Sequence, residues 1–203
     1  MFMRNFRVLL LCYTWALLPA SAKDTAIAAP LEISLDYSYV RANQGPGQCG
    51  CFAMNGGSTE AAFPVARGFS AVADLTGERS GSVNGGGPQG LSLVSFTGGP
   101  RFARSVHRRY APFAQALFGG VHGFDSYFPV TSGPTGAANS FAMIAGGGLD
   151  IRLKSNLAIR PIQVDYFLTH LPNGLNDRQN NLRVTAGIVF RIFSETGHDW
   201  HHH

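Results

Sequence analysis

From residue 182 onward apolar and polar positions alternate. Leu182, Val184, Ala186, Ile188, Phe190 and Ile192 fall on one face, and Arg183, Thr185, Gly187 and Arg191 on the other. A period of two is the mark of a β-strand. The same rhythm runs through residues 31–41, where Leu31, Ile33, Leu35, Tyr37 and Tyr39 oppose Glu32, Ser34, Asp36 and Ser38. It recurs over 157–169, with Ile162, Val164 and Tyr166 against Gln163 and Asp165, and over 141–153, with Met143, Leu149 and Ile151 against Asp150 and Arg152. Weaker alternation predicts strands at 57–66, 68–78, 91–102 and 110–121; Gly98-Gly99-Pro100 interrupts the third of these and predicts a bulge or bend. Eight strands result, each roughly ten to twelve residues long, which is the length of a tilted membrane-crossing strand.

The connections alternate as well. Arg67-Gly68 and Lys154-Ser155-Asn156 are hairpin-sized, whereas 42–57, 79–90, 122–139 and 170–181 are long and rich in Gly, Asn, Ser and Pro. Tight turns at one end of a sheet and long loops at the other are the asymmetry of periplasmic and extracellular ends, and an even strand count returns the chain to the periplasm. The basic turn with Arg104, His107, Arg108 and Arg109 falls on the periplasmic side and reads as a solvated turn.

Alternation does not say which face meets water. Residues 1–22 bear on that point: Arg4 and Arg7 precede an apolar run at 8–18, and Ala20-Ser21-Ala22 forms a small-residue cleavage site, so a signal peptide cut after Ala22 is expected. The apolar run is shorter than the ~20 residues a spanning helix needs. Cys12 has Leu11 before it, where a lipid-anchor signal requires a small residue. An exported chain without a second long apolar segment can cross a bilayer only as a closed barrel. The expected fold is therefore all-β, an eight-stranded antiparallel up-and-down transmembrane β-barrel over 23–193, followed by a tail at 194–203 ending in His201–His203.

In such a barrel the polar faces point inward, where a buried charge needs a partner. The last strand closes on the first, so Arg183 and Arg191 become candidates to meet Glu32 and Asp36; Asp74, Asp150, Arg152 and Asp165 share the lumen as further ion-pair candidates. Arg160 stands on the lipid-facing register unless Pro161 makes a bulge; near its turn it would otherwise snorkel. Cys49-Gly50-Cys51 reads as a loop disulfide, with an intermolecular bridge as second choice, because no His or further Cys stands at metal-ligand spacing. Gly85-Gly86-Gly87 lacks the Lys-Ser/Thr of a phosphate-binding loop. The formal net charge of +4 reads as spread along the chain, and no basic cluster interleaved with aromatics points to nucleic acid. No cofactor or metal set is expected, and no catalytic residue is assigned. His122 and His170 as bases with Ser126 or Ser140 as nucleophiles match no motif.

Taken in order, Leu35-Asp36-Tyr37-Ser38-Tyr39, Gly99-Pro100-Arg101, Pro112-Phe113-Ala114-Gln115, Gly146-Gly147-Gly148-Leu149-Asp150, Gln163-Val164-Asp165-Tyr166 and Gly187-Ile188-Val189-Phe190-Arg191 resemble the eight-stranded outer-membrane β-barrel family. That family includes the transmembrane domain of outer-membrane protein A. The resemblance implies a Gram-negative-type outer membrane, contact with its lipid, and recognition by the barrel assembly machinery through the last strand and its terminal Phe193. A peptidoglycan-binding domain does not follow the barrel in this sequence, so cell-wall tethering is not carried over. The expectation is a non-enzymatic barrel with a side-chain-filled lumen in an envelope-structural or surface-interaction role, its surface partner not identified. Alternatives are a soluble lipocalin-like exported binding barrel, a lipid-modifying outer-membrane enzyme and a small conducting pore.

Overall fold

A computed structural model describes residues 30–43, 51–83, 90–131, 133–174 and 176–193. The predicted signal peptide, Cys12, Cys49, the glycine run 85–87 and the tail 194–203 lie outside the described residues. Eight antiparallel strands follow one another: β1 (Leu31–Asn43), β2 (Cys51–Ala66), β3 (Phe69–Ser80), β4 (Leu91–Ala103), β5 (Tyr110–Phe124), β6 (Ala138–Arg152), β7 (Leu157–Thr169) and β8 (Gln179–Ile192). Each pairs with its sequence neighbour and β8 pairs back onto β1, so the sheet is a closed barrel. Closure leaves no strand edge unpaired. β1 starts and β8 finishes at one end, together with the short connections; we call this the turn end and the opposite one the loop end.

The strands outrun their predicted limits at the loop end. The ladder between β1 and β2 continues as far as Asn43 and Cys51, so residues 51–56, expected in a loop, belong to β2. A ready partner strand recruits this stretch despite its glycines. Cys51 is exposed at the start of β2. β4 is continuous through Gly98-Gly99-Pro100, with no register shift against β3 or β5, so the expected bulge is absent there.

Register shifts occur instead at two other prolines. One lies between Pro64 and Ala66 on β2, the other between Arg160 and Gln163 on β7. Proline has no N–H to give the ladder, and an extra residue accommodates it. The β7 shift resets the inside-outside phase, whereas on β2 residues 63–66 are all exposed. On β7, Pro161 and Ile162 are both exposed, and Arg160, whose simple parity points outward, is turned into the lumen.

The two faces differ sharply in chemistry. Leu35 is 57% exposed, Phe190 44% and Val164 40%, while Asp36 is 6% exposed and Asp165 0%. The outward face also carries Tyr37, Phe63, Leu75, Phe96, Phe118 and Ile188. A continuous apolar belt of this extent suits hydrocarbon and not water. The outward aromatics Phe69, Phe102, Tyr110 and Phe193 stand at the strand limits of the turn end, where a membrane-interface girdle belongs.

Candidate functional site

The site is the lumen, and the register explains its contents. Inward positions of β1 are Ser34, Asp36, Ser38 and Val40; of β3, Val72, Asp74, Thr76 and Glu78; of β8, Asn181, Arg183, Thr185 and Val189. Interiors of eight-stranded barrels are just wide enough for side chains to fill, so long polar groups from opposite walls meet at the axis.

Glu60 of β2 is the hub of the turn-side half. It pairs with Arg101 of β4 and accepts a 2.5 Å hydrogen bond from Arg160 of β7. Gln115 of β5 donates to it at 3.0 Å. Arg160 also donates to Asp150 at 2.8 Å and to Gln163 at 2.9 Å, and lies 3.5 Å from Asp36. Arg101 and Arg160 both stack over the Phe113 ring, 4.4 and 4.6 Å from its centroid. Stacking suits a guanidinium, which is planar and weakly hydrated. One step towards the loop end, Arg183 donates to Asp165 at 2.9 Å and to Thr76 at 3.0 Å, and lies 3.4 Å from Asp74. Ser38 donates to Glu78 at 2.6 Å. Gln163 links the two groups by donating to Asp165 at 2.8 Å.

Two cross-strand pairs show how the aspartates fit. Asp36 stands opposite Gly187 and Asp165 opposite Gly146. A Cβ on either glycine would overlap the aspartate Oδ1. Glycine lets each carboxylate lie against the barrel wall with its other oxygen turned to its hydrogen-bond donors, Ser34 for Asp36 and Arg183 and Gln163 for Asp165.

Towards the loop end the lumen becomes apolar. Val40, Met54, Leu93, Leu117, Val121, Ile144 and Phe167 form one cluster, which Phe128 and Leu171 enter from the connections after β5 and β7. Phe128 is braced by a bridge to Thr135, and its ring and Leu171 crowd the position a side chain at Gly123 would take.

The sequence-predicted residues therefore divide. Arg191 meets Glu32 at 3.0 Å across the closing seam, but at the rim and partly exposed. Asp36, Asp74, Asp150, Asp165 and Arg183 are buried together, with Arg183 serving Asp165 and Asp74 while Asp36 faces Arg160. Arg152 lies at the turn-end rim, bonded to Ser105 at 2.8 Å and to the Arg108 carbonyl, with no ion pair among the described residues. Glu60, Arg101 and Gln115 had no place in the expected set, and Arg160 joins it through the bulge at Pro161 that the sequence left open. His122, exposed, bonds Asn139 at 2.7 Å, and His170, also exposed, packs on Phe141; neither is bonded to a serine among the described residues.

The charge is segregated, not spread as the sequence suggested. Asp36, Glu60, Asp74, Glu78, Asp150 and Asp165 are buried with only Arg101, Arg160 and Arg183, six carboxylates against three guanidiniums among the described residues. Asp36 Oδ1, Asp165 Oδ1 and Glu78 Oε2 make no hydrogen bond among the described residues.

Neither a protein-family model nor a curated protein matches the sequence. Solved structures do match in fold. Ail, the attachment invasion locus protein of Yersinia pestis, aligns at 15% identity over 81% of this chain and 99% of its own, with a TM-score of 0.54. Neisserial surface protein A aligns at 11% identity over 80% and 97%, with a TM-score of 0.59. The outer membrane protein OprG from Pseudomonas aeruginosa aligns at 10% identity over 83% and 98%, with a TM-score of 0.52. At such identities the likeness is one of fold, and the fold of this chain is that of the eight-stranded outer-membrane β-barrels.

Proposed function

We infer that the chain is a small non-enzymatic barrel of a Gram-negative-type outer membrane, its lumen closed by side chains, serving an envelope-structural or surface-interaction role. The observation that carries this reading is the opposed polarity of the two barrel faces: an apolar exterior around a lumen that Glu60, Arg101 and Arg160 fill from wall to wall. On this reading the turn end faces the periplasm and the loop end the cell exterior. Ion pairs between strands distant in sequence, such as Arg160 with Glu60 and Arg183 with Asp74, act as struts across the cylinder. Ail, the attachment invasion locus protein, and Neisserial surface protein A use the same scaffold, which supports a role at the cell surface.

A lipocalin-like barrel would need Leu35, Val164 and Phe190 inside, and they are outside. A lipid-modifying enzyme would need a base beside a nucleophile, whereas His122 is engaged by Asn139. A small conducting pore would need a free passage, which the Glu60 cluster and the Phe128 cap oppose. The purified protein should require detergent, migrate differently before and after boiling on gel electrophoresis, and give no stepwise conductance in planar bilayers. Partition into the aqueous phase with no mobility change on boiling would overturn the membrane assignment, and discrete conductance steps would overturn the closed lumen.

A further inference from the structure

The turn end carries a charge imbalance that the closed lumen does not use. Among the described residues Arg67, Arg104, Arg108, Arg109, Arg152, Lys154 and Arg191 stand there against Glu32 at the rim and Asp150 just inside it. At the loop end the described cations Arg41, Arg79 and Arg178 are nearly balanced by Asp125 and Asp177. Two of the turn-end cations are already engaged, Arg191 by Glu32 and Arg152 by Ser105. The guanidinium groups of Arg67 and Arg104 have no ion pair or hydrogen bond among the described residues.

These two arginines come from neighbouring connections, β2 to β3 and β4 to β5, and both line a cavity of about 550 Å³ at the turn-end mouth. Its wall includes Phe69, Ser70 and Phe102, and the rings of Phe69 and Phe102 lie 5.0 Å apart. Phe69 and Ser70 are shared with a second recess of about 270 Å³ on the outer wall, lined by Val65, Ala71, Gly99 and Pro100. A basic chamber thus adjoins an apolar groove running into the membrane-facing belt. Their junction lies at the aromatic girdle, the height at which lipid headgroups sit. In the adjacent turn His107 and Arg108 hold φ of 51° and 59°.

We propose that this corner binds an anionic phospholipid of the periplasmic leaflet, its phosphate held between Arg67 and Arg104 and one acyl chain lying in the groove along Val65, Ala71 and Pro100. Guanidinium groups suit this task because their forked donors match phosphate oxygens, and a groove without polar side chains at its deep end suits a hydrocarbon tail. The proposal rests on the outer-membrane reading of the barrel and sharpens it by naming a lipid class and a site.

Native mass spectrometry of the folded full-length chain in detergent, titrated with phosphatidylglycerol or with phosphatidylcholine of the same chains, tests it. One phosphatidylglycerol should be retained in preference to phosphatidylcholine, and R67Q/R104Q should weaken that retention about tenfold, as expected when two charge-assisted donors are lost. Ala71→Trp, which fills the groove and leaves both arginines in place, should weaken it as well. Equal retention of the two lipids, equal retention by wild type and R67Q/R104Q, or complete displacement of the lipid by soluble glycerol phosphate would each overturn the site. The mobility change on boiling, measured on the same samples, separates the two claims: if it persists in every variant while lipid retention fails, the barrel stands and only this site falls.

Discussion

The turn-side and loop-side halves of the lumen are both filled, yet by opposite chemistry. On the turn side, Glu60, Arg101, Arg160, Asp36 and Asp150 meet at the axis, and every one of them comes from a strand. On the loop side, Met54, Leu93, Val121 and Phe167 line the wall, and Phe128 and Leu171 complete the filling from the connections. Rigid strands can aim charges at one another to within hydrogen-bond distance, which a buried ion pair requires. Loops aim less well, and apolar contact is non-directional and tolerates the difference. The comparison teaches that the same small cylinder is sealed by directional struts where only strands contribute and by apolar packing where loops must take part.

That contrast predicts a graded series in heat stability of the detergent-folded barrel. Glu60→Ala should have the largest effect, about 3–5 kcal/mol, because it leaves buried Arg101 without its carboxylate and removes one of those that hold Arg160. Phe128→Ala should cost less, about 2–3 kcal/mol, because a loop can partly collapse into the space that the ring leaves. Arg191→Gln should cost under about 1 kcal/mol, since its pair with Glu32 is partly open to solvent. Unfolding temperatures followed by the gel mobility change would rank the three. The contrast between the halves breaks if Phe128→Ala proves as damaging as Glu60→Ala, or if Arg191→Gln matches either.

How much of this was legible in the sequence depends on parity. β1 and β8 alternate without interruption, so their inward and outward sets could be read directly. The Glu32 and Arg191 contact follows from closing the last strand on the first. Arg160 was not legible by counting, because the shift at Pro161 reverses its phase; the proline itself was the one available signal. Glu60 sits in a stretch with Gly56, Gly57, Ala61 and Ala62, small residues compatible with either face, so its direction was masked although it is the hub. Phe128 and Leu171 lie in connections, where no period tells an inward residue from an outward one. The extension of β2 back to Cys51 came from pairing with β1, a long-range effect that local composition does not encode. The segregation of charge was likewise invisible to a net value of +4, because acids collect on inward strand positions and arginines in the turns.

The apolar stripes face hydrocarbon, and spin-label accessibility reports that orientation residue by residue. Single cysteines would be placed at Leu35, Val164 and Phe190, and separately at Ser38 and Thr185, in a background with Cys12, Cys49 and Cys51 replaced by serine. In lipid bilayers, labels at the first three should relax readily with oxygen and scarcely with an aqueous nickel complex, and labels at Ser38 and Thr185 should be shielded from both. Strong relaxation by aqueous nickel at Leu35, Val164 and Phe190 would mean that the apolar stripes do not face the membrane.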